Sequence, residues 1–283
     1  MVKIAAIQMS ATDDISRTLR KASQFLSAAA SKGAKIACFP ELFAYPWFPA
    51  ERDVSKFELA EEIGGAVTGE LAKLAAENSI AVVCPFFERA PGGCHYNSVI
   101  VFDSKGKTVG HYRKVHVPEL RYWEEKYYFQ PGDTGFPVFE VDGVKVGVQI
   151  CWDNFFPEGF RSLGLSGAQV VFVPSAAAFA SSERWLAMGV SHAIANCYYV
   201  VRVNRVGQEA GLDFYGGSFC VRPDGELISE PLGMGEGILL ADCELSTVDF
   251  SRRMWPFYRD RRPGEYLKLT EELEAPPEQS DGE

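Results

Sequence analysis

The chain has 283 residues, of which 47% are hydrophobic and 23% are charged, and these proportions are ordinary for a globular protein. Its formal net charge of −10 argues against a nucleic-acid backbone or an anionic membrane as a partner, because both would repel it. No apolar stretch reaches the roughly 20 residues that a helix needs to cross a bilayer, so we predict no membrane-spanning segment.

The seven cysteines indicate a reducing compartment. Their number is odd, no pair has CxxC spacing, and several lie inside apolar runs. This pattern favours buried thiols over a disulfide framework. The N-terminal segment MVKIAAIQMS turns polar after nine residues, which is too soon for a secretory signal. We therefore expect a cytoplasmic protein.

Strand and helix patterns alternate through the first half of the chain. A helix is predicted over 14–32, with Asp13 or Asp14 as its cap, and a second begins with Thr68 as its cap and ends near Asn78. Strands are predicted where short runs are rich in apolar and β-branched residues, at 2–9, 34–40, 80–88, 97–103 and 108–115.

The second half repeats this scheme. The Asp142-Gly143 turn predicts a hairpin, and helices are predicted over 157–166 and 182–196. Further strands are predicted at 168–175, 198–204, 216–222, 226–230 and 237–244. Because hairpins are mixed with strand–helix alternation, we expect two mixed sheets covered by helices in one domain.

The domain is predicted to span 1–270. The segment 271–283 is acidic and almost free of large apolar side chains, so a disordered tail is expected there. Just before it, the run 251–269 mixes aromatic residues with arginines. We expect this run to pack on a neighbouring subunit or to wrap the surface of its own chain.

Three residues at predicted strand ends could carry chemistry. Cys151 lies between a strand and a helix opened by Pro157, an elbow that exposes a nucleophile and favours a thiolate through the helix dipole. Glu41 is flanked by aromatic residues that would raise its pKa towards the range of a general base. Lys114 ends the strand TVGHYRK. Open α/β sheets place their sites at such strand ends.

Each of these residues also has a purely structural interpretation. A free cysteine is more often a buried, inert thiol than a nucleophile. Lys114 could be a solvated strand terminus, and Glu41 could cap a helix or form a salt bridge. The shared position of the three at strand ends, rather than any one of them, favours a site.

Three segments around these residues resemble the signature blocks of the nitrilase superfamily of carbon–nitrogen hydrolases. They are PELF (40–43), HYRKVHVPE (111–119) and GVQICWDNFFPE (147–158), and the resemblance extends from about residue 2 to about residue 250. It implies a four-layer α-β-β-α sandwich in a single domain. It also implies assembly into a homodimer or a higher homo-oligomer through helix faces.

The resemblance implies that Cys151 is the nucleophile, Glu41 the general base and Lys114 the cation that stabilises the oxyanion. The segment 123–139 is similar to a block that carries the second glutamate of the superfamily. Glu125 matches that glutamate better than its neighbour Glu124 does, and it would orient Lys114 or the substrate amine. Its alternative interpretation is an ordinary loop acid.

No metal or other cofactor is expected. The four histidines lack the spacing of metal ligands, and His116 is predicted to be structural. The glycine-rich run 233–237 lacks the strand-to-helix context of a phosphate-binding loop.

Within the superfamily, the runs 123–136 and 151–158 are most similar to the N-carbamoylputrescine amidase group. This similarity implies hydrolysis of a terminal ureido group to an amine, carbon dioxide and ammonia. The amine tail of such a substrate needs acidic or aromatic partners. The candidate substrate-binding residues are Tyr45, Trp47, Trp123, Trp152 and Asp153.

Other functions stay open. The run 177–185 is short and apolar where that group has a longer polar loop, which favours a smaller or more apolar substrate. The alternatives are an ω-amidase acting on amides of dicarboxylic acids and a nitrilase. Outside catalysis, the chain could be a binding protein on the same fold, or Cys151 could be a redox sensor paired with another cysteine.

Overall fold

The computed structural model describes residues 1–178 and 181–272. The acidic tail predicted for 271–283 therefore lies, from residue 273 onward, outside the described residues. Of the described helices, none is both long and apolar enough to cross a membrane.

The described strands fall into two large sheets and one small ribbon. In chain order they are β1 (Val2–Gln8), β2 (Ile36–Cys38), β3 (Ala81–Arg89), β4 (His95–Phe102), β5 (Thr108–Arg113), β6 (Val138–Val141), β7 (Val144–Val148), β8 (Val170–Ser175), β9 (Tyr199–Asn204), β10 (Val206–Glu209), β11 (Leu212–Tyr215), β12 (Phe219–Val221) and β13 (Gly237–Cys243). The described α-helices are α1 (Ile15–Ser31), α2 (Ala66–Asn78), α3 (Glu125–Tyr128), α4 (Pro157–Leu165), α5 (Ser182–Asn196) and α6 (Ser246–Met254).

Both large sheets have a parallel centre and antiparallel edges, as expected from the mixture of hairpins and crossovers. The first sheet has the order β13-β1-β2-β3-β4-β5, and the second has the order β12-β9-β8-β7-β6. Strands β1, β2 and β3 are parallel, as are β7, β8 and β9. Because β5 is antiparallel to β4, which is antiparallel to β3, the strands β2, β3 and β5 end at the same edge.

The alternation of side chains along β1 explains the layers. Ile4 and Ala6 belong to the apolar core between the two sheets, whereas Ala5 and Ile7 pack under α1 and α2. On the other side of the molecule, α4 and α5 pack on the second sheet. The result is the predicted four-layer α-β-β-α sandwich in one domain.

The ends of the first two helices test the predicted caps. Asp14 caps α1, because its side chain accepts hydrogen bonds from the backbone of Ser16 and Arg17. The predicted cap of α2 is wrong: Gly65 is the cap, and Thr68 lies inside the first turn. The hydroxyl of Thr68 donates to Glu61 instead of capping the helix.

The β-rich end differs from the prediction in two places. The run 226–230 forms a single bridge, from Leu227 to Val221, rather than a strand. The hairpin of β10 and β11 was not predicted. Its turn places both Ala210 (φ 51°) and Gly211 (φ 74°) in the left-handed region. Alanine rarely adopts that conformation, so this turn lacks the residues that usually predict one.

The aromatic and arginine-rich run 251–269 contacts its own chain. Tyr258 donates a hydrogen bond to the carbonyl of Asn196 (2.6 Å), and Arg252 donates one to the carbonyl of Ala168 (2.6 Å). These bonds fasten the run to α5 and to the loop before β8, in agreement with the surface-wrapping alternative.

Candidate active site

Four predicted residues meet at one end of the sandwich. Glu41 follows β2 and Lys114 follows β5, so both leave the first sheet at the same edge. The ammonium of Lys114 lies 2.8 Å from Glu41 Oε1 and 2.6 Å from Glu125 Oε2, at the start of α3. Cys151 comes from the second sheet, just beyond β7. The side chains of Glu41, Lys114 and Glu125 are fully buried.

Asn97 on β4 joins this cluster, although sequence analysis did not identify it. Its Nδ2 donates to Glu41 Oε1 (2.8 Å) and, more weakly, to Glu125 Oε2 (3.4 Å). Its backbone carbonyl also accepts a bond from the backbone N–H of Lys114 (2.8 Å). Asn97 thus fixes the spacing between the two carboxylates and the lysine. A buried asparagine inside the apolar run NSVIVF is the only sequence signal that could have found it.

Each of the two carboxylates has one buried oxygen that receives no hydrogen bond from the described residues. Glu41 Oε2 and Glu125 Oε1 are buried and have no hydrogen-bond partner within the part of the chain that the structure describes. A buried oxygen without a partner is costly unless a ligand, a water molecule or a transferred proton satisfies it. These two atoms are therefore available for chemistry.

The charged groups of the cluster shift one another's pKa values. Burial by itself lowers the pKa of Lys114, but the carboxylates of Glu125 and Glu41 outweigh burial and raise it, so the ammonium stays charged. Burial raises the pKa of Glu125 to about 7, against the opposing effect of Lys114. The site thus holds a permanent cation beside an acid that titrates near neutrality.

Cys151 occupies the predicted elbow. It begins the 3₁₀ helix Cys151–Phe155 with a φ of 46°, a conformation that is strained for any residue other than glycine. Burial, and then the negative charge of Glu41, raise the pKa of its thiol well above the usual value. The raised pKa favours a thiol at rest, against the expectation of a thiolate stabilised by a helix dipole.

The side chain of Asp153 stabilises this elbow through hydrogen bonds. Its Oδ2 accepts from the hydroxyl of Tyr112 (2.6 Å) and the backbone N–H of Ile150 (2.9 Å). Its Oδ1 accepts from the backbone N–H of His116 (2.9 Å). The side chain is fully buried, and these bonds occupy both oxygens. The geometry makes Asp153 a structural support of the nucleophile and not a substrate ligand, in contrast to the sequence prediction.

Arg205 holds the turn that carries Glu41, and sequence analysis did not identify it either. Its Nη2 donates to the backbone carbonyls of Glu41 (3.1 Å), Leu42 (2.9 Å) and Tyr45 (3.1 Å). Its Nη1 forms a buried ion pair with Glu209. We call these contacts of Arg205 the clamp. Leu42 has a φ of 48°, so the clamp stabilises a strained backbone directly after Glu41.

Cys151 opens into a cavity of about 550 Å³. Its walls are mainly aromatic and alanine side chains. The residues that line it are Pro118, Leu120, Trp123, Cys151, Trp152, Phe155, Ala176, Ala177, Ala178, Ser181, Arg184 and Trp185. Trp123 and Trp152, two of the predicted substrate-binding residues, therefore line the cavity.

The other predicted substrate-binding residues, Tyr45 and Trp47, lie outside this lining, as Asp153 does. The hydroxyl of Tyr45 donates to the carbonyl of Leu59 (3.2 Å), and the indole of Trp47 donates to the carbonyl of Tyr122 (2.9 Å). Both side chains belong to the packing behind the cavity. Aromatic residues near a motif are more often packing groups than ligands, and only the tertiary structure separates the two.

The described residues offer no cluster of three or more His, Cys, Asp or Glu side chains suited to a metal ion. Within the catalytic cluster, the ammonium of Lys114 already lies between the two carboxylates. The site thus combines two buried carboxylates, a buried ammonium and a thiol that lines a cavity, and these groups are suited to nucleophilic catalysis.

The comparisons with known proteins agree with this class. The family described as carbon-nitrogen hydrolase matches residues 3–253. The chain belongs to this family, as its three sequence blocks indicated. It is a hydrolase that acts on amides or ureides.

Two relatives are similar to this chain over almost its whole length. N-carbamoylputrescine amidase from Solanum lycopersicum is 38% identical, and the match covers 95% of each chain. Citrullinase from Francisella tularensis subsp. tularensis is 36% identical, and the match covers 95% of this chain and 98% of the relative. The names of both refer to substrates with a terminal ureido group.

Two solved structures share the fold. A carbon-nitrogen hydrolase from Helicobacter pylori G27 has a TM-score of 0.92 and 30% identity, covering 95% of this chain and 98% of that chain. An amidase mutant from Nesterenkonia sp. AN1 has a TM-score of 0.80 and 26% identity, covering 94% and 96%. In that structure the acetamide moiety of fluoroacetamide is covalently added at the active-site cysteine.

The clamp can be tested with Arg205→Lys. Lysine keeps a positive charge but has a single nitrogen, so it cannot pair with Glu209 and also hold the three carbonyls, as the two guanidinium nitrogens do. The turn that carries Glu41 should therefore loosen. We expect kcat to fall by about 10- to 100-fold with little change in KM, since small misplacements near the chemistry have effects of this size. Steady-state kinetics on an accepted amide measures this. Arg52→Lys, in an exposed ion pair, is the control, and unchanged kcat in Arg205→Lys would contradict the clamp.

The charges around the thiol can be tested with Glu125→Gln. Removing this negative charge should lower the pKa of Cys151 and speed its labelling by a small thiol reagent at pH 8. The gain should be about tenfold for each unit by which the pKa falls. Glu124→Gln, at the next position but paired with Arg52, should leave the rate unchanged. Labelling of the Cys151 peptide is followed by mass spectrometry, and equal rates in both variants would refute the assignment.

His192 makes stability depend on pH. It is buried, lies 2.8 Å through Nε2 from the carbonyl of Asn154 behind the elbow, and burial lowers its pKa to about 4. Between pH 4 and about 6.5 the unfolded chain binds a proton that the folded chain rejects, so stability must decrease as pH falls through this window.

Urea unfolding of wild type and His192→Gln at pH 4.5 and 7 measures this effect. The amide can still donate to Asn154 but does not titrate, so the variant should lose less stability on acidification than the wild type. The difference should be on the order of 2–3 kcal/mol. Parallel pH profiles in the two proteins would rule out His192 as the source.

Proposed function

We propose that this chain hydrolyses the terminal ureido group of a small N-carbamoyl amine, of the kind that N-carbamoylputrescine represents, through a thioester on Cys151. The observation that carries the proposal is the buried contact of Lys114 with Glu41 and Glu125 beside that thiol. The names of the tomato and Francisella relatives support the ureide as substrate class.

The first step pairs attack with proton transfer. Because the resting cysteine is a thiol, it needs a base at the moment of attack. Glu41 has an unpartnered buried oxygen and acts as that base. The sulfur of Cys151 then bonds to the ureido carbon, and the carbonyl oxygen takes up negative charge.

Lys114 stabilises this oxyanion together with the backbone N–H of Trp152. A pre-oriented donor of this kind lowers the barrier by about 3–4 kcal/mol in comparable sites. The two carboxylates keep the ammonium in place and charged, so it does not have to reorganise during the reaction. Glu125 serves here to orient Lys114.

The intermediate then collapses. Protonated Glu41 transfers its proton to the leaving ammonia, and an N-alkyl thiocarbamate remains on Cys151. Water, activated by Glu41, attacks the same carbon and releases the thiol and a carbamate. The carbamate decomposes to the amine and carbon dioxide, so the overall reaction consumes the ureide and water and yields amine, carbon dioxide and ammonia.

An amide substrate is the second candidate. The same three residues would form an acyl thioester from an ω-amide, and the adduct in the Nesterenkonia amidase supports attack on small amides by the corresponding cysteine. A nitrile would require the same nucleophile. A non-catalytic binding protein is disfavoured, because a buried Glu–Lys–Glu cluster beside a free thiol has no evident use in binding alone.

We also propose that the chain forms a homodimer or a higher homo-oligomer in the cytoplasm. Helix ends and the C-terminal run leave large apolar side chains exposed, and a partner subunit would cover them. Examples are Leu165, Ile194, Met254 and Trp255. Seven free cysteines, six of them buried, support a reducing compartment.

Ammonia release from a substrate panel tests the proposed reaction. The panel contains N-carbamoylputrescine, N-carbamoyl amino acids, ω-amides of dicarboxylic acids, and aliphatic and aryl nitriles, with Cys151→Ala as the blank. We expect ureides to be turned over, and Cys151→Ser to lose at least about 10³-fold in kcat, because an unactivated hydroxyl is a poor substitute for the thiol.

Two results would overturn the proposal. Near-normal turnover by Cys151→Ser would remove the thioester mechanism. Turnover of amides or nitriles alone would keep the mechanism but exclude the ureide as substrate class.

A further inference from the structure

The charge of the cavity wall indicates which kind of substrate tail, meaning the end remote from the scissile carbon, the site can accept. Four aromatic side chains line that wall: Trp123, Trp152, Phe155 and Trp185. Arg184 is the single charged side chain among the described lining residues, and none of these residues carries a carboxylate. Asp153, the acid that was expected to receive a cationic tail, is buried under the elbow with both oxygens occupied.

Arg184 is exposed, and no described side chain pairs with its charge. Within residues 1–178 and 181–272, its guanidinium forms no ion pair and no hydrogen bond. It lies in the first turn of α5, where the helix dipole is already positive. The acid in the same turn, Glu183, is exposed and does not line the cavity. An arginine at this end of a helix becomes favourable when an anion binds next to it.

A second cation lies behind the same wall. Arg202 is buried, and its guanidinium is 4.6 Å from the ring centroid of Trp185. Its hydrogen bonds go to the hydroxyl of Tyr215 (2.9 Å) and the carbonyl of Gly217 (3.4 Å), and it has no carboxylate in ion-pair range among the described residues. The wall around Trp185 therefore carries positive charge that the described side chains do not balance.

From this arrangement we infer that the substrate carries a carboxylate at the end remote from the scissile carbon and that Arg184 binds it. A cationic tail would lie beside the guanidinium of Arg184 and near the buried Arg202, and it would meet no acid among the described lining residues. A carboxylate can accept two parallel hydrogen bonds from the guanidinium fork. The inference rests on the proposed function for the ureido or amide carbon that meets Cys151, and it replaces the cationic tail of N-carbamoylputrescine with an anionic one.

Three ureides of equal length test it, each with four methylenes after the ureido nitrogen. They are 5-ureidopentanoate, pentylurea and N-carbamoylputrescine, whose tails are anionic, neutral and cationic. We expect kcat/KM to fall in that order. Arg184→Gln should lower the value for 5-ureidopentanoate by about 10- to 100-fold, mainly through KM, and leave pentylurea unchanged.

Two further variants make the test specific. Arg184→Lys should retain part of the preference, because it keeps the charge without the fork. Arg253→Gln removes an exposed arginine on α6, outside the cavity lining, and should change nothing. A wild-type preference for N-carbamoylputrescine, or an equal loss on pentylurea in Arg184→Gln, would overturn the inference.

A binding measurement separates this inference from the proposed reaction. Tryptophan fluorescence of Cys151→Ala should report ligands in the cavity through Trp123, Trp152 and Trp185. Pentanoate should bind at least about tenfold more tightly than pentylammonium, and Arg184→Gln should abolish the difference. Equal affinities would refute the role of Arg184 even if ureides are hydrolysed.

Amide substrates further distinguish a failure of the proposed reaction from a failure of the inference about Arg184. If ureides are inert but glutaramate is hydrolysed in preference to pentanamide, the ureide proposal fails and the assignment of the carboxylate tail stands. If neither class is hydrolysed, the proposed reaction fails, and the comparison of pentanoate with pentylammonium still decides whether Arg184 binds an anion.

Discussion

The contact of Lys114 with Glu41 and Glu125 is the interaction on which the site depends. Three charges are removed from water here, and burial of any one of them alone would be strongly unfavourable. Together they compensate one another, and Asn97 holds the carboxylates at the required spacing. The cluster therefore works as a unit, because loss of one member leaves the others buried without a partner. The same mutual dependence keeps the ammonium charged and fixed before any substrate arrives.

The sandwich brings this cluster to the nucleophile and holds it there. Glu41 and Lys114 leave the first sheet at one edge, while Cys151 leaves the second, so the packing between the sheets sets their separation. Two turns at this end, at Leu42 and at Cys151, have strained backbones. Buried hydrogen bonds from Arg205 and to Asp153 support them. Strain of this kind persists only where the surrounding structure enforces it, which is why these supports lie so close to the chemistry.

The electrostatics of the two ends of the cavity are opposite. At the catalytic end, burial and then the negative charge of Glu41 raise the pKa of Cys151. At the other end, the wall carries arginine charge without described acids. A substrate with a neutral ureido or amide head and an anionic tail would be oriented by this difference. The arrangement thus links the inferred specificity to the distribution of charge along the cavity.

The sequence by itself predicted the layers of the fold, and its resemblance to the superfamily pointed to the four residues Glu41, Lys114, Glu125 and Cys151. Strand and helix periodicity, the Asp14 cap and the strand-end motifs are local, so neighbouring residues encode them. Only the tertiary structure revealed Asn97 and Arg205 and changed the role of Asp153, because these roles depend on contacts far apart in the chain. Arg205, for example, contacts a carbonyl 164 positions away. The charge of the cavity is likewise a sum over separate segments, and no single stretch of sequence contains it.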